Sequence, residues 1–134
     1  MRTSEFSIDT RGREVTDITE RVVAFAGERS EDGLLSVFVP HATCGLAVME
    51  TGAGSEADLS DALERLLPRD GRYAHAHGST GHGADHLLPA FVSPSLVLPV
   101  RGGGVELGTW QRVVLVDTNR ENNTRRVVLS LLPG

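Results

Sequence analysis

The stretch GLLSVFVPHATCGLAVME, residues 33–50, decides the fold. Gly33 to Val39 is short, apolar and β-branched, and it follows a Glu-Asp-Gly turn, so it reads as a central strand. Pro40 cannot donate to a ladder and ends it. After the loop His41-Ala42-Thr43-Cys44-Gly45, Leu46 to Glu50 reads as the partner strand of a hairpin. A paired, apolar centre of this kind makes the chain a β-rich domain to which helices are added.

Working outward towards the N-terminus, Glu5 to Asp9 alternates polar and apolar residues, the pattern of a half-buried strand. Thr10 to Gly12 is a turn, and Arg13 to Val15 begins a second strand. Asp17-Ile18-Thr19-Glu20 resembles a capping box, and Ile18, Val22, Val23, Phe25 and Ala26 continue at helical spacing. Towards the C-terminus, Ser55 with Asp58 caps a helix with the stripe Leu59, Ala62, Leu63, Leu66 and Leu67, stopped by Pro68. Residues 69–83 carry glycines and histidines without apolar periodicity and read as a long functional loop. A short helix over 83–91 follows. Strands are then expected at 95–100, 105–117 and 125–132, forming a terminal antiparallel meander. The order ββαββααβββ places the chain in the α+β class.

The 134 residues suit a single domain spanning 1–134, with no linker or repeat dividing it. Hydrophobic residues make up 40% and charged residues 23%, an ordinary globular balance. The net charge of -5, the lack of a basic run and the few aromatics argue against nucleic-acid binding. Every basic residue is Arg; with no Lys, Schiff-base chemistry and a Walker-type lysine are excluded. The single cysteine, Cys44, excludes an internal disulfide. The N-terminal MRTSEFSIDT has no apolar core of a secretory signal, and no run approaches the roughly 20 residues of a membrane span. A soluble, cytoplasmic protein without membrane contact is the expectation.

All five histidines, His41, His75, His77, His82 and His86, fall in the middle of the chain, outside the strands expected to build the core. Surface loops often hold histidine, but five confined to one third of the sequence point to a site. His82-x-x-x-His86 has the i, i+4 spacing that sets two imidazoles on one helix face, provided the helix reaches back to His82. His75 and His77 would point to opposite sides of an extended chain, which turns His77 away. His41 at a strand end sits on a rigid platform suited to a ligand or base. Glu50, at the far end of the next strand, would lie away from His41 within one chain. Cys44 beside His41 invites a nucleophile reading, although residues so close in sequence rarely place both side chains productively. Gly102-Gly103-Gly104 reads as a hairpin turn rather than a phosphate cradle. Trp110, between Gly108 and Gln111, suits either a pocket wall or plain core.

Taken together, His41-Ala42-Thr43, Glu50, Tyr73-x-His75, Gly81 to His86 and Leu107-Gly108-Thr109-Trp110-Gln111 resemble the YjbQ family, sometimes named secondary thiamine-phosphate synthase enzymes. The resemblance covers almost the whole chain. It implies an α+β fold with a seven-stranded β-sandwich and about three helices. It also implies a homotrimer with sites near subunit boundaries, where a neighbouring chain could complete a site around Glu50. His41, His75 and His86 become the candidate ligands of a divalent metal such as zinc; His41, Glu50 and His86 become the candidate catalytic residues. Thr43, Trp110 and Gln111 match positions that would contact substrate. Two segments depart from the family pattern. Thr51 to Gly54 replaces an Asn-Ala-Asp-Pro-like run, and His82 to His86 replaces Asn-x-Pro-Ala-His, adding His82 and Asp85.

Three functions follow as expectations. A three-histidine metal site with an open position could act on a small phosphorylated molecule, with thiamine-phosphate synthesis as a side activity and Arg101, Arg112 or Arg120 neutralising the anion. A closed four-ligand shell would instead mark a non-catalytic metal- or anion-binding trimer. A phosphate-ester hydrolase would need Glu50 beside a metal-bound water. On the three-ligand reading, His41→Ala and His86→Ala would each abolish metal retention.

Overall fold

The structure is a computed structural model that describes every residue except Ala76. The described residues form eight strands and three helices: β1 (Arg2–Asp9), β2 (Val15–Asp17), α1 (Thr19–Ala26), β3 (Gly33–Phe38), β4 (Cys44–Met49), α2 (Ser55–Leu66), α3 (His82–Phe91), β5 (Ser95–Arg101), β6 (Gly104–Val105), β7 (Arg112–Asp117) and β8 (Thr124–Pro133). A five-stranded sheet in the order β1-β8-β3-β5-β6 faces a three-stranded sheet in the order β2-β7-β4, and all pairings are antiparallel. The α+β class is therefore as expected. The seven-stranded count is corrected to eight strands in sheets of five and three.

Strand β7 (RVVLVD) explains why the layers stack as they do. Its interior is buried on both faces. Val113 and Leu115 point into the core shared with the larger sheet, beside Leu35, Leu129 and Leu131. Val114 and Val116 point the other way, into a second core closed by Leu63, Leu67, Ala84 and Leu88 of the helical layer. A strand covered on both sides reads as a continuous apolar run rather than an alternating one. Helix α1 closes the main core with Val22, Phe25 and Ala26. Helices α2 and α3 lie on the outer face of the small sheet. The outer face of the large sheet stays open, exposing Leu34, Phe38, Val97 and Leu132.

Several local expectations change, among them the cap of α2, whose N-cap is Gly54 with no side-chain bond from Ser55. Strands β3 and β4 are not a hairpin: β3 pairs with β5 and β8, whereas β4 pairs with β7. The segment from Pro40 to Thr43 carries the chain across the sandwich, and Val39 bonds to the Pro94 carbonyl instead. The strand expected over 105–117 is broken, because residues 106–111 make a turn in which Gln111 Oε1 accepts the Gly108 N–H at 2.8 Å. The turn sends β7 to the small sheet, so the last strands form no meander. Finally, Asp17 ends β2 instead of making a capping box; its carboxylate accepts the Thr19 N–H at 2.9 Å and the Arg112 guanidinium at 2.7 Å. Among the described residues, no helix is long and apolar enough to cross a membrane.

Glycine places α3. A Cβ at Gly45 would collide with the Val92 carbonyl, so only glycine lets the C-terminal end of α3 press against β4. The Leu46 N–H then bonds to the Ser93 carbonyl at 2.7 Å.

Leu115 is wholly buried between the two sheets. Leu115→Ala should cost about 2–5 kcal/mol through the cavity it leaves, read as a lower midpoint of denaturant unfolding.

Candidate functional site

Helix α3 begins at His82, one residue before the expected start, so His82 and His86 do share one face. Their Nε2 atoms approach to 2.9 Å. The preceding loop folds back over this end of the helix. Gly83 permits the approach, since a Cβ there would lie 2.6 Å from Tyr73 Cβ and 2.8 Å from the His75 carbonyl. His75 is thereby brought to a ring-centroid distance of 4.3 Å from His86, and His77 to 4.0 Å from His75. Tyr73 anchors the loop by donating its hydroxyl to the Pro68 carbonyl at 2.6 Å.

One ligand nitrogen from each of His75, His77, His82 and His86 can be chosen so that all four lie within 4.8 Å of one another. His77 is therefore inside the group, contrary to the expectation that it turns away. The alternation rule holds for strands, and neither His75 nor His77 lies in one. Burial and the neighbouring imidazoles push the His75 and His86 pKa values below the ordinary histidine value. Four imidazole nitrogens this close form a donor set that fits a borderline-soft cation.

His41 is not in that group. Its Nε2 accepts the Arg126 N–H at 2.8 Å, which occupies the lone pair a metal would need. Burial and then the Arg125 and Arg126 charges lower its pKa. His41 belongs instead to a polar network at the same end of the sandwich. Arg125 and Asp117, both almost wholly buried, pair through two contacts of 2.6 and 3.2 Å. Arg125 also donates to Thr43 Oγ1 at 3.1 Å, and Asn119 Nδ2 does so at 3.4 Å. Thr43, expected to contact substrate, is 5% exposed, with its hydroxyl held by these two donors.

The remaining candidates lie at the other end. Strand β4 runs from Cys44, opposite Asp117, to Met49, opposite Arg112. Six strand residues span about 20 Å, so Glu50 stands away from the histidines, which adjoin the Asp117 end through α3. Trp110, 73% exposed, and Gln111, locked in its turn, lie just before Arg112. Arg112 itself is tied to Asp17. Cys44 is buried and its thiol is pushed up to about 12, so it is inert as a nucleophile.

Sequence reasoning noted Asp85 as a departure from the family pattern but gave it no role, and it passed over Arg69 and Thr118. Asp85 is 1% exposed and takes hydrogen bonds from the Arg69 guanidinium and, at 2.7 Å, from Thr118 Oγ1. Asp85 Oδ2 faces His82 Nδ1 at 3.9 Å. A buried acid three residues after a histidine on one helix is the signal that could have found this arrangement. Arg125 had a clearer signal: in β8 it alternates with Val127, Leu129 and Leu131 and so must face inward.

Comparison with known proteins agrees with this fold over its full length. A UPF0047 protein of Mycobacterium tuberculosis is 59% identical over 134 residues, covering all of both chains. A UPF0047 protein of Archaeoglobus fulgidus is 34% identical, covering 96% of this chain and 99% of its own. Among solved structures, a hypothetical protein from Aeropyrum pernix superimposes with a TM-score of 0.91 at 32% identity, covering 100% of each chain. A YjbQ/UPF0047-family protein of Clostridium acetobutylicum gives 0.85 at 25% identity, covering 96% of this chain and 99% of its own. The family described as UPF0047 protein YjbQ-like matches residues 4–134. The chain belongs to the UPF0047, YjbQ-like family.

Proposed function

We propose that this protein binds a divalent transition metal, with zinc as the reference ion, through His75, His77, His82 and His86. The observation that carries the reading is the convergence of four imidazole nitrogens within 4.8 Å. Tetrahedral zinc takes nitrogen ligands at about 2.0–2.1 Å, so a small inward closure of the loop histidines completes the shell. His41, the third ligand expected from the family resemblance, is replaced in this role by His77 and His82. Four protein ligands favour holding the ion over activating a water. Glu50, at the opposite end of β4, is not placed to act as a base within the same chain, which weighs against the phosphate-ester hydrolase.

One observation favours a second, catalytic reading. A cavity of about 190 Å³ adjoins His75, lined by Asp70, Tyr73, Ser79 and Thr80 together with loop glycines. His75 and His77 are exposed, so either could give up its place to a substrate oxygen. On that reading the substrate is a small phosphorylated molecule, and thiamine-phosphate synthesis is the side activity that the family implies. Assembly into a homotrimer is part of the same proposal, with the open face bearing Leu34, Phe38, Val97 and Leu132 supplying apolar surface for a second copy.

Protein purified without chelator should carry roughly one transition-metal ion per chain by elemental analysis. His86→Ala should lose it, and His41→Ala should keep it; metal-free wild type would overturn the proposal. Equilibrium sedimentation should report three copies of the chain, and a monomer would remove the trimer.

The pH dependence has a definite sign. His75, His86 and His41 have folded pKa values below the ordinary value, so the unfolded chain binds more protons. The metal-free protein should therefore lose stability as pH falls below about 6.5, the ordinary histidine value. Calorimetric melting between pH 8 and pH 5 should show the fall, and His86→Asn should flatten it.

A further inference from the structure

His82 Nδ1 is buried and has no hydrogen-bond partner. An orphaned buried imidazole nitrogen is costly, and its surroundings dictate whether it carries the proton. The atom facing it is Asp85 Oδ2, 3.9 Å away. Asp85 cannot swing freely: Thr118 and Arg69 hold Oδ1, and Arg69 holds Oδ2 at 3.2 Å. A carboxylate oxygen repels an imidazole lone pair and attracts an N–H, and Oδ2 has room for a further donor. The other ring nitrogen gives an independent constraint. His82 Nε2 lies 2.9 Å from His86 Nε2, and two nitrogens that close must share one proton. With the His82 proton on Nδ1, that shared proton belongs to His86, which donates to the bare His82 Nε2.

We infer that Asp85 is a positioning residue for the metal site proposed above. It fixes His82 in the Nδ1–H tautomer, so that the Nε2 lone pair points at the other imidazoles and is the ligand atom. The chain of contacts runs from Thr118 and Arg69 through Asp85 to His82, and a slight turn of the His82 ring closes the last gap. Outer partners of this kind set ligand orientation and basicity.

The inference rests on the metal reading for its purpose but not for its test. Long-range proton–nitrogen NMR of metal-free, histidine-labelled wild type reads the tautomer directly, with signals assigned through the five single His→Gln variants. A His82 ring protonated at Nδ1 is expected; one protonated at Nε2, or averaging between the two forms, overturns the inference even if zinc binds. Failure to bind zinc with the tautomer intact would sink the metal reading alone. Asp85→Asn, where circular dichroism shows it folded, should weaken zinc binding by about 10–100-fold and alter the visible spectrum of the cobalt-substituted site. Wild-type affinity and an unchanged cobalt spectrum in that variant would overturn the role. If Asp85→Asn does not fold, the wild-type tautomer decides.

Discussion

The buried pair of Arg125 and Asp117 is the constraint around which this end of the molecule is arranged. Both charges are withdrawn from water, which is tolerable only because their two contacts are short and Thr43 takes a remaining guanidinium N–H. The pair joins the end of β7 to the start of β8, and so pins the small sheet to the large one where the sandwich would otherwise gape. Asp117, Thr118 and Asn119 then reach in three directions. Asp117 turns into the sandwich, Thr118 turns out to Asp85 on α3, and Asn119 reaches Thr43 at the start of β4. Three consecutive residues thus connect the two sheets to the helix that carries His82 and His86.

The histidine group inherits its geometry from this arrangement rather than from its own loop. Helix α3 is held at its C-terminal end by the absence of a side chain at Gly45 and near its N-terminal end by Asp85. Two imidazoles therefore stand on a fixed helix, and two arrive on a glycine-rich loop that Tyr73 ties down. Such a division separates a rigid half, which sets position and tautomer, from an adaptable half, which can close on a ligand. His41, drawn out of the group by the Arg126 N–H, completes the polar end of the sandwich instead.

Much of the fold was legible because periodicity speaks directly about burial. The three helices and most strands fall close to where their apolar spacing sets them, and β7 declares its two-sided burial by an unbroken apolar run. Pairing was less legible. Residues 33–50 look like a hairpin because local alternation carries no information about which sheet a strand joins; Pro40 and the crossing at 40–43 resolve that only in three dimensions. The site was half legible. The i, i+4 pair His82 and His86 follows from helix geometry, and His75 joined it through the loop. His77 was misplaced by a strand rule applied to residues that form no strand. Asp85 stood out as a departure from the family pattern but was given no role, because a lone acid on a helix looks like surface until its burial is known.

The turn that diverts β7 has left the chain's single tryptophan, Trp110, largely in solvent, near the Arg112 end of the sandwich and remote from the histidines. All indole emission from this protein therefore arises at one exposed point. The protein carries its own optical label: a blue shift would report a neighbouring chain closing over that turn, whereas events confined to the histidine end would leave the emission wavelength unmoved.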